Sequence, residues 1–217
     1  MKTRNHDHII ERIRPQDMTE QDIARVAGQV GNLMVEVQRY YTDDLGLVRI
    51  DTDDPPASMG DMLPRFDRIH SSGELSTQRF SFTVARRIER GRAGAAGKPS
   101  EVMDGICSMV VLKKSQGCVQ DRHTTTELYE FDTRAAERGQ GLGRSVLAYA
   151  LGEVHPEDQL VLDVAESNTN AIDLYRKLGF SFTGQTFAHE IFENSDGTTA
   201  QHLEMTSAAA TVQEQLS

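Results

Sequence analysis

Cysteines and long apolar runs are scarce in this chain of 217 residues. Its two cysteines, Cys107 and Cys118, are too few for a disulfide framework, so we expect reduced thiols. No uninterrupted apolar run approaches the length of a membrane span, and the first ten residues, MKTRNHDHII, lack the apolar core of a signal peptide. We therefore expect a cytoplasmic protein that has no membrane partner.

Cationic side chains are outnumbered, because 23 Lys and Arg stand against 33 Asp and Glu and give a formal net charge of −10. Such a chain repels a polyanionic backbone, so we expect no nucleic-acid partner. An acidic surface can attract cationic small molecules or basic peptides, or can serve solubility alone. The length suits one domain over residues 1–206, and we expect a disordered C-terminal tail at 207–217.

The apolar periodicity predicts the element order β-α-α-β-β-β-α-β-α-β-β. Helices are expected to begin near residues 19, 58, 141 and 168, the first of them at a capping box. The predicted strands cover residues 9–14, 80–88, 102–113, 125–133, 160–164, 180–192 and 198–205. This order predicts an α+β fold with a mixed sheet of about seven strands, antiparallel at first and parallel between the fourth and fifth.

Three glycines stand between the fourth predicted strand and the helix that follows it, in RGQGLG at residues 138–143. The first N–H groups of a helix have no internal partner and lie at the positive end of its dipole, so they can bind phosphate. Glycine allows the close approach and the unusual backbone angles that such a turn needs. Neither a dinucleotide fingerprint nor a P-loop fits the spacing. The sequence therefore predicts an anion site of another kind.

Two motifs on these elements resemble those of the GNAT acetyltransferase superfamily. RGQGLG at 138–143 is similar to the signature Arg/Gln-x-x-Gly-x-Gly/Ala, and NTNAIDLYRKLGF at 168–180 is similar to Asn-x-x-Ala-x-x-Leu-Tyr followed by Gly-Phe. The resemblance extends in order over about residues 9–205. It implies a GNAT-like three-layer α/β/α fold whose sheet is splayed between the fourth and fifth strands.

The resemblance also implies acetyl-CoA as the acetyl donor, with its pyrophosphate on the glycine loop and its pantetheine arm in the splay. Asn168 matches a residue that contacts this arm, although it can also be a plain helix N-cap. The cofactor-binding residues implied in this way are Phe131, Asp132, Thr133, Arg138, Gly139, Gln140, Gly141, Leu142, Gly143, Arg144, Asn168 and Tyr175. We expect no metal, because no residues have metal-ligand spacing and His6 with His8 is expected to lie in a mobile N-terminal tail.

Two catalytic roles follow from the resemblance. Tyr175 matches the tyrosine that protonates the leaving CoA thiolate, and a phenol is protonated at neutral pH. A glutamate of the central strand can act as the base, and period-two geometry places Glu127 on the face of Phe131 and places Glu130 on the opposite face unless a bulge reverses it. We favour Glu127 over Glu130. The alternative is a structural carboxylate, with proton loss to bulk water.

The acceptor is expected to be a primary amine that attacks the thioester directly. An aspartate-rich stretch that includes Asp51, Asp53 and Asp54 lies where the family varies, and its charge favours a small cationic acceptor such as a polyamine or an aminoglycoside. It can also be a solvated loop. The alternatives are an N-acetyltransferase for a protein N-terminus or lysine, or an acyl-CoA-sensing binding module without enzyme activity. A homodimer is possible for this family.

Overall fold

The computed structural model describes residues 2–5, 8–14, 18–49, 78–90, 101–115 and 124–217. The predicted second helix at 58–70, His6, Cys118 and the candidate acceptor residues Asp51, Asp53 and Asp54 lie outside these residues. The strands are β1 Lys2–Asn5, β2 His8–Ile13, β3 Leu47–Arg49, β4 Gln78–Arg90, β5 Glu101–Ser115, β6 Thr125–Thr133, β7 Gln159–Ala165, β8 Ser181–Asn194 and β9 Thr199–Ala208. The α-helices are α1 Glu20–Arg39, α2 Leu142–Leu151, α3 Thr169–Lys177 and α4 Ala209–Leu216.

The strands form one mixed sheet in the order β1-β2-β4-β5-β6-β7-β9-β8-β3. Its pairs are antiparallel except for β6 with β7, which is parallel. The nine strands exceed the seven predicted because β1 and β3 are only four and three residues long, too short for a periodic pattern to show. The predicted mixed α+β architecture is confirmed.

Helices cover both faces of the sheet and complete three layers. On one face α1 packs Val26, Val30, Leu33 and Val37 against β4 and β5, as its amphipathic stripe predicts. Thr19 caps this helix, since its hydroxyl accepts from the Asp22 N–H at 3.1 Å. On the other face α2, α3 and α4 share a larger core with the sheet.

The parallel pair β6 and β7 separates soon after it begins. Only Thr125, Thr126 and Glu127 of β6 pair with β7. Past Glu127, β6 stays paired with β5 as far as Thr133, while β7 stays paired with β9 as far as Ala165. The predicted splay is confirmed, and it opens a gap in the middle of the sheet.

The C-terminal prediction is wrong, because residues 207–217 are ordered. Strand β9 ends at Ala208 and α4 follows it directly. Ala209 and Val212, three residues apart on α4, are fully buried in the core that α2 shares. The Gln213 side chain donates to the carbonyls of Leu151 and Val154 at 2.8 and 2.9 Å, so it satisfies backbone groups at the end of α2. The small residues of this segment gave too weak an apolar pattern to reveal it.

The N-terminal prediction also needs correction, because His8 is not in a mobile tail. It is the first residue of β2 and pairs with Arg87 of β4. Its side chain is largely covered and lies beside Glu137. Among the described residues, none of the helices is long and apolar enough to cross a membrane.

Candidate active site

The glycine loop has the backbone geometry of an anion site. Gly139 and Gly141 have φ values of +75° and +80°, which a residue with a side chain rarely adopts. Gly141 is the N-cap of α2, and the first turn of that helix carries no acidic residue. A Cβ on Gly143 would lie 3.0 Å from the Thr133 hydroxyl and 3.2 Å from the Phe131 ring, so this helix turn packs closely on β6. Since no side chain of the described residues caps this helix, its first N–H groups can bind an anion.

Two arginines flank the loop. The Arg138 Nε donates to the Thr133 carbonyl at 3.0 Å, and its guanidinium lies 4.3 Å from the centre of the Tyr40 ring. Arg144 donates to the Gln215 carbonyl of α4. Both side chains add positive charge beside the free N–H groups of α2.

A cleft of about 640 Å³ runs from this loop into the gap between β6 and β7. Its size is that of a small-molecule site. It is lined by Leu128 to Thr133 of β6, by Asp163 and Val164 of β7, by Glu137 to Gly139 and Gly141 to Arg144 at the loop, by Asn168, Asn170, Ala171, Leu174 and Tyr175 around α3, and by Val37, Tyr40 and Tyr41. Of the site residues predicted within the described part of the chain, Glu127 and Gln140 do not line it.

Tyr175 lies on α3, faces the cleft and is almost fully buried. Its ring packs against Phe180 and Phe131, with centroids 5.7 and 6.5 Å away. Burial raises the pKa of Tyr175 well above its usual range, and the nearby Tyr41, Asp132 and Glu130 add to this. The phenol is therefore a fixed, protonated donor at every physiological pH.

A bulge in β6 decides on which face of the sheet Glu130 lies. Leu112 of β5 pairs with Leu128 and Val111 pairs with Glu130, so Tyr129 is an extra residue between them. Glu130 therefore lies on the same face of the sheet as Glu127, opposite to Phe131. The predicted shared face of Glu127 and Phe131 is wrong for this reason.

Glu127 forms an ion pair with Lys113, since its carboxylate lies 3.0 Å from the Lys113 ammonium. Glu130 and Asp132 line the cleft instead. Burial raises the pKa of Asp132 to about 6, although the charge of Arg138 and a hydrogen bond with Glu130 oppose the rise. The Asp132 Oδ2 is buried with no hydrogen-bond partner among the described residues. The pair can hold or accept a proton near neutral pH.

Two tyrosines that we did not predict as site residues from the sequence also line the cleft. Tyr40 and Tyr41 lie in a π-helical turn, Tyr40–Asp44, which continues α1. Tyr41 stacks on Phe192 at 5.4 Å, and burial raises its pKa above the usual range of a phenol, helped by Asp132 and Glu130. Tyr41 stands four residues after Val37 and therefore continues the apolar stripe of α1. This spacing is the sequence signal that could have identified it.

Asn168 is a helix N-cap, because its Oδ1 accepts from the Ala171 N–H at 3.2 Å. The same oxygen accepts from the Tyr40 hydroxyl at 3.2 Å. Gln140 is exposed and its side chain donates to the Ala136 carbonyl at 2.9 Å, so it stabilises the turn itself.

The sequence matches the model of one protein family. Residues 84–180 match the sequence profile described as the Acetyltransferase (GNAT) family. No curated protein matches the chain in sequence.

Several solved structures share the fold. The NatC complex bound to Gag peptide and CoA contains a chain with TM-score 0.55 and 13% identity, covering 93% of this chain and 98% of that one. The ribosomal-protein-S18-alanine N-acetyltransferase from Escherichia coli has TM-score 0.53 and 16% identity, covering 94% of both chains. The spermidine/spermine N-acetyltransferase from Vibrio cholerae has TM-score 0.51 and 15% identity, covering 98% of this chain and 100% of that one. At these identities the likeness concerns the fold alone.

The buried Asp132 predicts a pH-dependent stability. A carboxyl whose native pKa is raised binds its proton more tightly when folded, so its ionisation destabilises the fold as the pH rises from about 4 through about 6. Asp132→Asn removes this cost and should stabilise the protein at pH 8 by up to about 3 kcal/mol, with no gain below pH 4. Urea unfolding midpoints across this pH range measure the difference.

Asp196→Asn is a control of opposite sign. Hydrogen bonds from Thr198 lower the pKa of Asp196, so its ionised form stabilises the fold above its ordinary pKa and this variant should lose stability at neutral pH. An Asp132→Asn protein whose relative stability stays flat from pH 4 to 8 would contradict the assignment.

Proposed function

We propose, from the premise that this chain belongs to the acetyltransferase (GNAT) superfamily, that it moves the acetyl group of acetyl-CoA directly to a primary amine of a small cationic acceptor. Membership of this family indicates that the protein is an acyltransferase. One observation supports the proposed transfer to a cationic amine: the glycine loop, Tyr175 and the Glu130–Asp132 pair all line the same cleft.

The loop suits the pyrophosphate of acetyl-CoA. The free N–H groups of the first turn of α2 and the side chains of Arg138 and Arg144 all offer positive charge. The pantetheine arm fits the gap between β6 and β7, where β6 lacks a ladder partner on its β7 side past Glu127 in the described structure. An extended ligand can add to such an open edge as a strand does.

In the proposed reaction the amine nitrogen attacks the thioester carbonyl carbon, the C–S bond breaks, and the sulfur leaves with the bonding electrons. Tyr175 donates its hydroxyl proton toward that sulfur. Burial raises the pKa of the phenol, which weakens it as an acid. The phenol keeps its proton, so it can donate a hydrogen bond that stabilises the departing thiolate.

The Glu130–Asp132 pair is the proposed proton acceptor for the incoming ammonium, in place of Glu127. Both side chains line the cleft, whereas Glu127 pairs with Lys113. A base with a pKa of about 6 is ionised at pH 7.5 and is more basic than an ordinary aspartate. The pair, directly or through a water, can take one proton from the ammonium before the attack and return it to solvent. The second proton, which the nitrogen loses as the amide forms, replaces the proton that Tyr175 gave to the sulfur.

The lining of the cleft supports a cationic acceptor. Glu130, Asp132 and Asp163 bring carboxylates to it, and Tyr40, Tyr41 and Tyr129 bring aromatic rings. An ammonium group is attracted by both, through charge and through the ring faces. The fold neighbours include enzymes named for a polyamine and for a protein alanine, so the fold does not specify the class of acceptor. The proposed acceptor class therefore rests on the residues that line the cleft.

An amine panel tests the proposal. Purified protein with acetyl-CoA should release free thiol in the presence of di- and polyamines or aminoglycosides, and release should be slower with a neutral amine or with a peptide whose N-terminus is its one amine. Thiol titration and mass spectrometry of the acetylated product measure this. Turnover with peptides alone would indicate a protein or peptide acceptor in place of a small cationic one. Tight acetyl-CoA binding with no turnover on any amine would contradict acetyl transfer altogether.

Tyr175→Phe tests the leaving-group role. Loss of the hydroxyl should lower kcat about 100-fold, since a positioned acid contributes at least that much, while the KM for acetyl-CoA stays within a few-fold. Steady-state kinetics measure both constants. Tyr149→Phe on α2, outside the cleft lining, is the matched control and should keep full activity. Undiminished turnover by Tyr175→Phe would remove the acid role and leave the acyl transfer in place.

Glu130→Gln and Glu127→Gln distinguish the two candidate bases. The first should lower kcat/KM about 100-fold at pH 7, with recovery at higher pH as more of the amine is unprotonated. The second should stay within about threefold, because it loses only a half-exposed ion pair with Lys113. A pH profile of kcat/KM for both proteins measures this, and the reverse ranking would restore Glu127 as the base.

A further inference from the structure

Three side chains that can bind a metal meet beside the turn that leads into the glycine loop. They are His8 of β2, Cys107 of β5 and Glu137 of the 3-10 turn Ala135–Glu137. Their ligand atoms all lie within 4.8 Å of one another. Glu137 and Cys107 are 3% and 4% exposed, and the His8 side chain is 12% exposed. Glu137 also lines the acyl-transfer cleft, whereas His8 and Cys107 do not.

The spacing inside the cluster fits coordination better than a direct hydrogen bond. The His8 Nε2 lies 3.4 Å from the Glu137 Oε2 and is buried without a hydrogen-bond partner among the described residues. A hydrogen bond between these atoms would measure about 2.7–3.2 Å. Two ligands of a tetrahedral Zn²⁺ at about 2.0–2.1 Å are roughly 3.3 Å apart. The histidine and the carboxylate already have that separation.

The two oxygens of Glu137 divide between different partners. Its Oε2 faces His8, while its Oε1 accepts from the Arg87 guanidinium. Carboxylates that bind a metal through one oxygen commonly accept a hydrogen bond on the other, which fixes their orientation. Arg87 therefore occupies the position of an outer partner and leaves Oε2 free.

We propose that His8, Cys107 and Glu137 form a binding site for one Zn²⁺ ion. A nitrogen, a sulfur and a carboxylate oxygen are a donor set that Zn²⁺ accepts, whereas Mg²⁺ and Ca²⁺ require oxygen ligands. On binding, the Cys107 thiol gives its proton to solvent. The thiolate and the carboxylate then neutralise the two charges of the ion, and Arg87 keeps one positive charge at the edge. A water molecule completes the tetrahedron.

The location gives the site a structural role that is separate from acyl transfer. Glu137 immediately precedes Arg138, the first residue of the glycine loop, and His8 belongs to an outer strand of the sheet. A bound ion ties these two segments and β5 together. It should therefore steady the loop and raise the thermal stability of the protein without entering the reaction.

Metal binding to the full-length protein tests the proposal. After treatment with a chelator, the protein should bind one Zn²⁺ per chain in a competition titration with a chromophoric chelator. Co²⁺ should bind at the same site and show the intense near-ultraviolet absorption of a thiolate–Co²⁺ bond, and Mg²⁺ should not compete. Binding should release about one proton and raise Tm.

Single-residue variants assign the ligands. Cys107→Ser should weaken Zn²⁺ binding by more than about 100-fold and abolish the thiolate–Co²⁺ absorption, since loss of even an outer partner costs 10- to 100-fold. His8→Gln should weaken binding while keeping that absorption. Cys118→Ser is the matched control and should bind as the unaltered protein does. Circular dichroism before metal addition verifies that each variant is folded.

The contrary results are equally specific. A chain that binds Zn²⁺ weakly and with Mg²⁺ competition, or whose Zn²⁺ affinity is the same in Cys107→Ser, would overturn the site and leave a buried ion-pair network of Glu137 with Arg87. Failure of the site leaves the proposed acyl transfer untouched, because none of these readouts depends on turnover.

Discussion

The parting of β6 from β7 after three residue pairs is the constraint on which the rest of the structure depends. Each strand keeps a partner on its other edge, β5 for the one and β9 for the other, so the sheet can open without losing its order. In the part of the chain that the structure describes, the opening leaves main-chain groups of β6 without a strand partner on the β7 side. Such groups bind strongly to a ligand that replaces the missing strand.

The elements around the opening hold the reactive groups in fixed positions. Helix α1 is joined to the 3-10 turn that precedes the glycine loop by Glu36, whose carboxylate accepts from the Ala135 N–H at 2.7 Å. The Tyr41 ring is held on Phe192, and the Tyr175 ring is held between Phe131 and Phe180. Because these contacts exist before any ligand arrives, little ordering remains to be done on binding, which favours both affinity and rate.

Charge is divided along the cleft. Arginines and free helix N–H groups lie at the loop, and the carboxylates of Glu130, Asp132 and Asp163 lie along the strands. An anionic donor and a cationic acceptor would therefore be drawn to different parts of one cavity, with Tyr175 facing it from α3. Beside the loop, the buried carboxylate of Glu137 pairs with Arg87 of β4 and lies near His8 of β2 and Cys107 of β5, which is where the proposed ion would bind.

The sequence by itself determined the parts of the site that depend on local chain geometry. The glycines of the loop and the N-cap Asn168 follow from spacing within one turn or one helix, and the structure has them where that spacing predicts. The expectation that Tyr175 lies at the site rests on the family resemblance of residues 168–180, and Tyr175 lines the cleft. Only the tertiary structure shows that Glu130 lines the cleft while Glu127 pairs with Lys113, because the bulge at Tyr129 and this ion pair both arise from the pairing of β6 with β5.

The same holds for contacts between segments distant in the chain. Val212 becomes core only because α4 returns to α2, and His8, Cys107 and Glu137 meet only because β2, β5 and the turn after β6 are brought together by the sheet. A periodic pattern records which face of an element is apolar. It carries no information on which distant polar groups will share a buried site, since that depends on the packing of the whole chain.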